Sequence, residues 1–185
     1  IQAQVSTGKV VIVAGFQGVT EDGEITTLGR GGSDTTAVAL AAALKADKCD
    51  IYTDVTGVFT TDPRYVKDAR KLLSVSYDEM LELANLGAGV LHPRAVEFAK
   101  NYKVQLVVRS SMEKEEGTVI EEEATMEQNL VVRGVAFEDE ITRVTVLGLT
   151  NSLTSLSTIF TTLAQNHLNV DIIIQSTTEA GSANL

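Results

Sequence analysis

Thr27-Leu28-Gly29-Arg30-Gly31-Gly32-Ser33-Asp34-Thr35-Thr36-Ala37 runs a glycine-rich turn straight into an alanine-rich helix. Three glycines within four positions let a backbone pass close to a ligand, at an entropic cost to folding. Ser33 or Asp34 is expected as the cap. Ala37, Val38, Leu40, Ala41 and Leu44 supply the packing side of a helix from about Thr35 to Ala46. The N–H groups at such a helix start form an anion site, strengthened by the helix dipole. Arg30 adds a guanidinium fork suited to a carboxylate or phosphate, and Asp34 suits an ammonium group. An amino acid presents that pair of charges. A glycine turn before a helix also serves as a plain tight connection, and both readings stand at this point. The stretch is not a Walker A loop, since no Gly-Lys-Ser/Thr follows at the required spacing. It also lacks the third glycine of the dinucleotide fingerprint.

Upstream, the continuous apolar run Lys9–Phe16 reads as a strand covered on both faces. Asp22-Gly23 marks a hairpin turn between Val19-Thr20 and Ile25-Thr26-Thr27. Downstream, Cys49–Thr53 reads as the next strand. The loop Asp54–Arg64 follows at its carboxyl end, where ligands bind in an open α/β sheet. Arg30 and Asp34 on one loop, with Thr53, Asp54, Asp62 and Arg64 on the other, suggest a shared pocket. Turn and cap work is the plainer role for Asp54 and Asp62. Ser76 and Glu79 form a capping box for a helix to about Asn85, ended by Gly87 and Gly89. Pro93 opens a further helix to about Tyr102, with His92 ahead of it as a packing or capping residue. Val104–Arg109 is expected as a buried strand and Gly117–Ile120 as a short edge piece. The order implies a mostly parallel sheet sandwiched by helices.

Residues Glu113–Glu127 carry seven glutamates against one lysine, which reads as a solvated connection and a domain boundary. Beyond it, Leu130–Phe137 and Ile141–Leu149 read as strands, Thr154–His167 as an amphipathic helix, and Asn169–Gln175 as a strand. Ser176–Gly181 then starts a hairpin. That β-α-β start is the first part of a ferredoxin-like α+β unit.

The whole chain sets outer bounds. An apolar share of 44% allows a sizeable core, and a net charge of −10 argues against sequence-independent nucleic-acid binding and an anionic membrane surface. The single Cys49 excludes an internal disulfide framework, and no apolar run reaches membrane-spanning length, so the cytoplasm is the expected address. A start at Ile1 and an unfinished pattern at Leu185 suggest a piece of something longer.

Gly29–Ala37, followed by Tyr52–Arg64, resembles the amino-acid kinase superfamily and within it aspartate kinase. Gly87-Ala88-Gly89-Val90-Leu91-His92-Pro93 and Val108-Arg109-Ser110-Ser111 continue the resemblance. The tail is similar to the start of an ACT regulatory domain, and the nearest likeness is to lysine-sensitive Bacillus-type enzymes. The resemblance implies residues 1–120 as the nucleotide-binding part of a kinase domain, 121–129 as acidic linker and 130–185 as the first part of an ACT domain. It implies phosphoryl transfer from ATP to the side-chain carboxylate of L-aspartate, the first step toward lysine, threonine and methionine. Mg2+ would be held mainly through the nucleotide phosphates.

By the same resemblance Arg30, Ser33 and Asp34 bind substrate, while Thr53, Asp54, Phe59, Arg64 and Gly89 serve the nucleotide side. Asn151, Ser152, Asp171 and Ile172 form the effector side, with lysine expected and threonine second. ACT pairing implies a homo-oligomer, with a separate regulatory chain as a further option. Two departures stand out: Gly89 where many relatives carry lysine, and Phe59 where many carry tyrosine. The family's Lys-Phe-Gly-Gly segment is absent from the 185 residues, so these residues alone are expected not to turn over. Glutamate 5-kinase, uridylate kinase and a non-catalytic amino-acid-binding regulatory subunit are the rival readings. The Gly-Arg-Gly-Gly-Ser-Asp loop and the tail disfavour the two kinases.

Overall fold

The computed structural model describes residues 1–124, 132–138, 141–149, 153–168, 170, 172–177 and 183–184. The chain divides into two compact units, Ile1–Glu138 and Asp139–Leu185. The first opens on a short helix α1 (Gln2–Val5) and a hairpin of β1 (Gln17–Val19) and β2 (Ile25–Thr27), with Gln17 opposite Thr27. Gly23 turns the hairpin at φ +88, a left-handed value that glycine adopts without strain. Lys9–Phe16 is not the buried strand expected: Val10 and Ile12 are 93% and 94% exposed. An apolar run becomes a strand only beside a neighbour offering its own N–H and C=O row, and none pairs with it among the described residues.

Helix α2 (Gly32–Leu44) begins earlier than expected, and its N-cap is Gly31 rather than Ser33 or Asp34. Gly31 holds φ +74, so the chain swings from the loop into the helix through a left-handed residue. Ser33 and Asp34 therefore sit inside the first turn.

The sheet comprises β3 (Cys49–Thr53), β4 (Ser74–Ser76), β5 (Leu106–Ser110) and β6 (Thr118–Glu121) in the order β3-β5-β6-β4. β3 and β5 run parallel, as do β4 and β6, while β5 and β6 are antiparallel. The sheet is thus mixed, and β6 lies inside it rather than at its edge. Gly117 makes this reversal feasible, because a Cβ there would lie 1.9 Å from the Val108 carbonyl oxygen. Only three residues long, β4 carries no sequence run that would announce it. It leads directly into α3 (Tyr77–Asn85), whose capping box forms in both halves: Glu79 N–H donates to Ser76 Oγ (3.3 Å), and Ser76 N–H to Glu79 Oε2 (3.0 Å). Helix α4 (Pro93–Tyr102) starts at Pro93 as expected.

Alternation along the strands places Cys49 and Ile51, Leu106 and Val108, and Ile120 in one core. Val38 of α2, Met80 of α3 and Val96 and Ala99 of α4 complete it. Full burial of a Val or Leu contributes about 1.5–3 kcal/mol, so this cluster is the main source of stability in the unit. At its margin Thr118 is wholly buried: its hydroxyl accepts from Val58 N–H (2.8 Å) and donates to the Leu72 carbonyl (2.6 Å). Residues 132–138, expected partly as a strand from Leu130 to Phe137, carry none and pack on this unit instead. Val135 N–H donates to the Thr60 carbonyl (2.8 Å), Arg133 pairs with Glu79 (2.7 Å) and Phe137 stands edge-on to Tyr65.

The second unit contains α5 (Leu153–Gln165) and a short antiparallel pair, β7 (Ser176–Thr177) with β8 (Ala183–Asn184). The helix falls where its apolar stripe predicts. The strands expected at Ile141–Leu149 and Asn169–Gln175 are not formed over 141–148 and 172–175, where Ile141, Val144, Ile172 and Ile174 are exposed. Again the ladder partner is what is missing among the described residues. Asn151, Ser152 and Asp171 lie outside the described residues, and Ile172 is exposed and belongs to no helix or strand. Among the described residues no helix is long and apolar enough to cross a membrane.

Thr118→Val keeps the side-chain shape but leaves a buried donor and a buried acceptor without a partner. It is expected to lower stability by about 2–3 kcal/mol in urea denaturation, whereas Thr118→Ser, retaining the hydroxyl, loses less. A loss in Thr118→Val no larger than in Thr118→Ser would mean that the hydroxyl is not the main contribution of this side chain.

Candidate functional site

The glycine loop is held almost entirely through its carbonyls. Gly32 N–H donates to the Gly29 carbonyl (3.0 Å). Thr35 donates to the Gly31 carbonyl through its N–H (3.1 Å) and its hydroxyl (2.9 Å). The Thr36 hydroxyl donates to the Gly32 carbonyl (2.8 Å). The two remaining carbonyls, of Leu28 and Arg30, accept from the Arg94 guanidinium at 3.4 Å and 3.3 Å. Every carbonyl from Leu28 to Gly32 is therefore engaged. Of the first N–H groups of α2, which have no intrahelical partner by helix geometry, that of Gly32 is taken by the Gly29 carbonyl, and those of Ser33 and Asp34 donate to no carbonyl of their own loop. Arg30 and Ser33 are exposed there and Asp34 is half-buried. A cation, a hydroxyl, a carboxylate and free backbone donors share one turn, a set able to take both charged ends of an amino acid.

The second group lies after β3. Thr53 Oγ1 donates to Asp54 Oδ1 (3.0 Å), and the Thr53 carbonyl accepts from Ser111 N–H (2.8 Å). Arg64 grips Asp62 with its Nη2 at 2.6 Å and its Nε at 3.0 and 3.1 Å, and Arg64 N–H also donates to Asp62 Oδ1 (2.8 Å). Asp62 thus does the turn work expected of it and carries an ion pair as well. The Arg64 side-chain hydrogen bonds hold the Asp62 carboxyl below the usual carboxylate range. Arg64 in turn is made more firmly cationic by Asp62 first, with Asp54 adding to the field. Thr53, Asp54, Asp62 and Arg64 therefore form one cluster. Phe59 is half-buried and bridges to Lys71 across the loop, which the Thr118 hydroxyl anchors through Val58 and Leu72.

No hydrogen bond or ion pair joins this cluster to Arg30, Ser33 or Asp34 among the described residues. The glycine loop is tied instead to the start of α4. His92 caps that helix, its Nδ1 accepting from Arg94 N–H (3.3 Å), and its ring packs on Gly31 so closely that a Cβ there would lie 2.1 Å from His92 Cγ. The expectation of a packing and capping histidine holds. Arg94 carries a role that sequence reasoning did not assign. One signal was available: a cation in the first turn of a helix opposes the dipole, so its charge is needed by something else.

A model described as "Amino acid kinase family" matches residues 1–110. This chain belongs to the amino acid kinase family. Over all 185 residues the kinase-family chain is 84% identical to an aspartokinase of Bacillus sp. strain MGA3, covering 45% of that protein. It thus spans less than half of that relative's length. Among solved structures it is similar to Escherichia coli aspartokinase III in complex with lysine and aspartate, a T-state (34% identity, TM-score 0.69, 92% of this chain and 38% of that one). The same enzyme with aspartate and ADP, an R-state, gives 35% identity and the same TM-score and coverage.

For this member of the amino acid kinase family, Gly89 stands where the resemblance expects lysine. Its Cβ position meets nothing within 4 Å, so the backbone accepts a side chain there and its absence is not a packing requirement. Gly57 differs, since φ +154 and a Cβ only 2.6 Å from Thr118 Oγ1 demand glycine.

Because Asp62 titrates below its unfolded value, its ion pair contributes above that unfolded value and is lost as pH falls through the folded one. Arg64→Gln is expected to move the Asp62 midpoint upward into the ordinary carboxylate range in an NMR titration. An unmoved midpoint would mean that the guanidinium is not the cause.

Proposed function

We propose that this chain forms part of an aspartate kinase, which transfers a phosphoryl group from ATP to the side-chain carboxylate of L-aspartate and so yields 4-phospho-L-aspartate and ADP. The 84% identity to a Bacillus aspartokinase, over a match that spans all 185 residues, is the observation that carries the reading. In this reading Arg30 holds the α-carboxylate of aspartate, and Ser33 and Asp34 take its other polar groups. The turn's free N–H donors and engaged carbonyls suit that task.

Thr53, Asp54, Phe59, Arg64 and the Gly89 segment serve the nucleotide side. A hydroxyl, a carboxylate and a cation in one cluster fit a polyphosphate nucleotide, whose role is to supply the phosphoryl group. Mg2+ enters with the nucleotide, held through its phosphates. Alignment of the two reactants and neutralisation of spreading charge are what such chemistry asks of these side chains. Residues 1–120 then act as kinase domain, 121–129 as linker and 130–185 as the first part of an ACT regulatory domain. There Asn151, Ser152, Asp171 and Ile172 would meet a lysine effector, ACT domains pair into a homo-oligomer, and the protein works in the cytoplasm. Lysine bound to the similar Escherichia coli enzyme supports that choice of effector.

Hydroxylamine trapping of acyl phosphate in the full-length protein, offered MgATP with aspartate or glutamate and then lysine, tests this directly. Hydroxamate is expected from aspartate alone and is expected to fall on adding lysine. Hydroxamate from glutamate would move the assignment to a glutamate kinase. No product from either, with lysine still bound, would indicate a regulatory subunit.

A further inference from the structure

We infer that Arg94 is a positioning residue for the amino-acid site, holding the glycine loop in the conformation that leaves the Ser33 and Asp34 N–H groups at the start of α2 free for the substrate carboxylate. The inference rests on the function proposed above and adds a residue to it. Arg94 reaches back from α4 across more than sixty positions of sequence to the two carbonyls, of Leu28 and Arg30, that flank Gly29. Gly29, at φ +76, and Gly31, at φ +74, are both left-handed, so the backbone between them has few restraints of its own. Local bonds restrain the carbonyls of Gly29, Gly31 and Gly32, whereas those of Leu28 and Arg30 are restrained by the guanidinium.

A carbonyl oxygen that swung toward the helix start would place negative charge where a carboxylate must sit. Arg94 prevents this by holding both oxygens in one planar fork, a geometry a lysine cannot reproduce at two acceptors. His92 sets the fork's position from behind. Its ring packs on Gly31, and its Nδ1 accepts from the Arg94 backbone N–H, so side chain and helix start move as one piece. Arg94 does not touch substrate in this arrangement and acts through the loop.

The test compares full-length wild-type protein with Arg94→Met and Arg94→Lys. In the trapping assay Arg94→Met is expected to raise KM for aspartate about tenfold or more, with KM for ATP and kcat within about twofold. Arg94→Lys should fall between the two. An aspartate KM within twofold of wild type, or equal rises in both KM values, would overturn the inference. Hydrogen exchange at the amides of residues 29–34 reads the same device without turnover. These amides are expected to exchange faster in Arg94→Met while the rest of α2 and α4 keeps its protection. Unchanged exchange overturns the inference even if wild-type protein makes no hydroxamate, in which case the kinase reading fails separately.

Discussion

The hydroxyl of Thr118 is the point on which the loop after β3 depends. The segment from Asp54 to Leu72 leaves the end of β3 and returns to β4 with little regular structure of its own. At its base two backbone groups, Val58 N–H and the Leu72 carbonyl, are buried where water does not reach. A buried polar group without a partner costs more than an ordinary hydrogen bond contributes. One fully buried hydroxyl, donating to one and accepting from the other, removes both costs and closes the loop. Gly57 allows the approach, since no side chain fits between it and that oxygen. The Phe59–Lys71 bridge and the Asp62–Arg64 pair then order a loop whose ends are already fixed.

Thr118 reaches that position through the sheet. Gly117 lets the chain double back against β5, so that β6 enters between β5 and β4, parallel to one neighbour and antiparallel to the other. The reversal brings a residue more than forty positions from either partner beneath the loop. The glycine loop is held on a similar plan from a different element, with Arg94 and His92 at the start of α4 supplying what its own sequence does not. In both cases an irregular, glycine-containing segment carries the exposed functional groups, while a distant side chain fixes the backbone. Such loops need this support because glycine brings freedom that must be restrained elsewhere.

Local chemistry was legible wherever partners lie close in sequence. The Asp22-Gly23 hairpin, the Ser76–Glu79 capping box, Pro93 at the first turn of α4 and His92 as its cap all form as the residues indicate. The core strands Cys49–Thr53 and Leu106–Ser110 follow their apolar runs. Lys9–Phe16 and the apolar stretches within 141–148 and 172–175 show the limit of that method. Their patterns state a capacity to pair, and pairing needs a neighbour that pattern alone does not supply.

The sequence by itself determined which polar and charged groups the two candidate loops offer, in the Arg30-Ser33-Asp34 turn and the Thr53-Asp54-Asp62-Arg64 loop, and the motif order that places the chain in its family. These are properties of residue type and short spacing, and short-range physics reads them. Tertiary structure alone decided how those groups are held. The pairing of β6 with β4, the Thr118 tie and the Arg94 clamp all join residues tens of positions apart. Which distant donor meets which carbonyl depends on how strands and helices stack, and that information appears only when the core has formed.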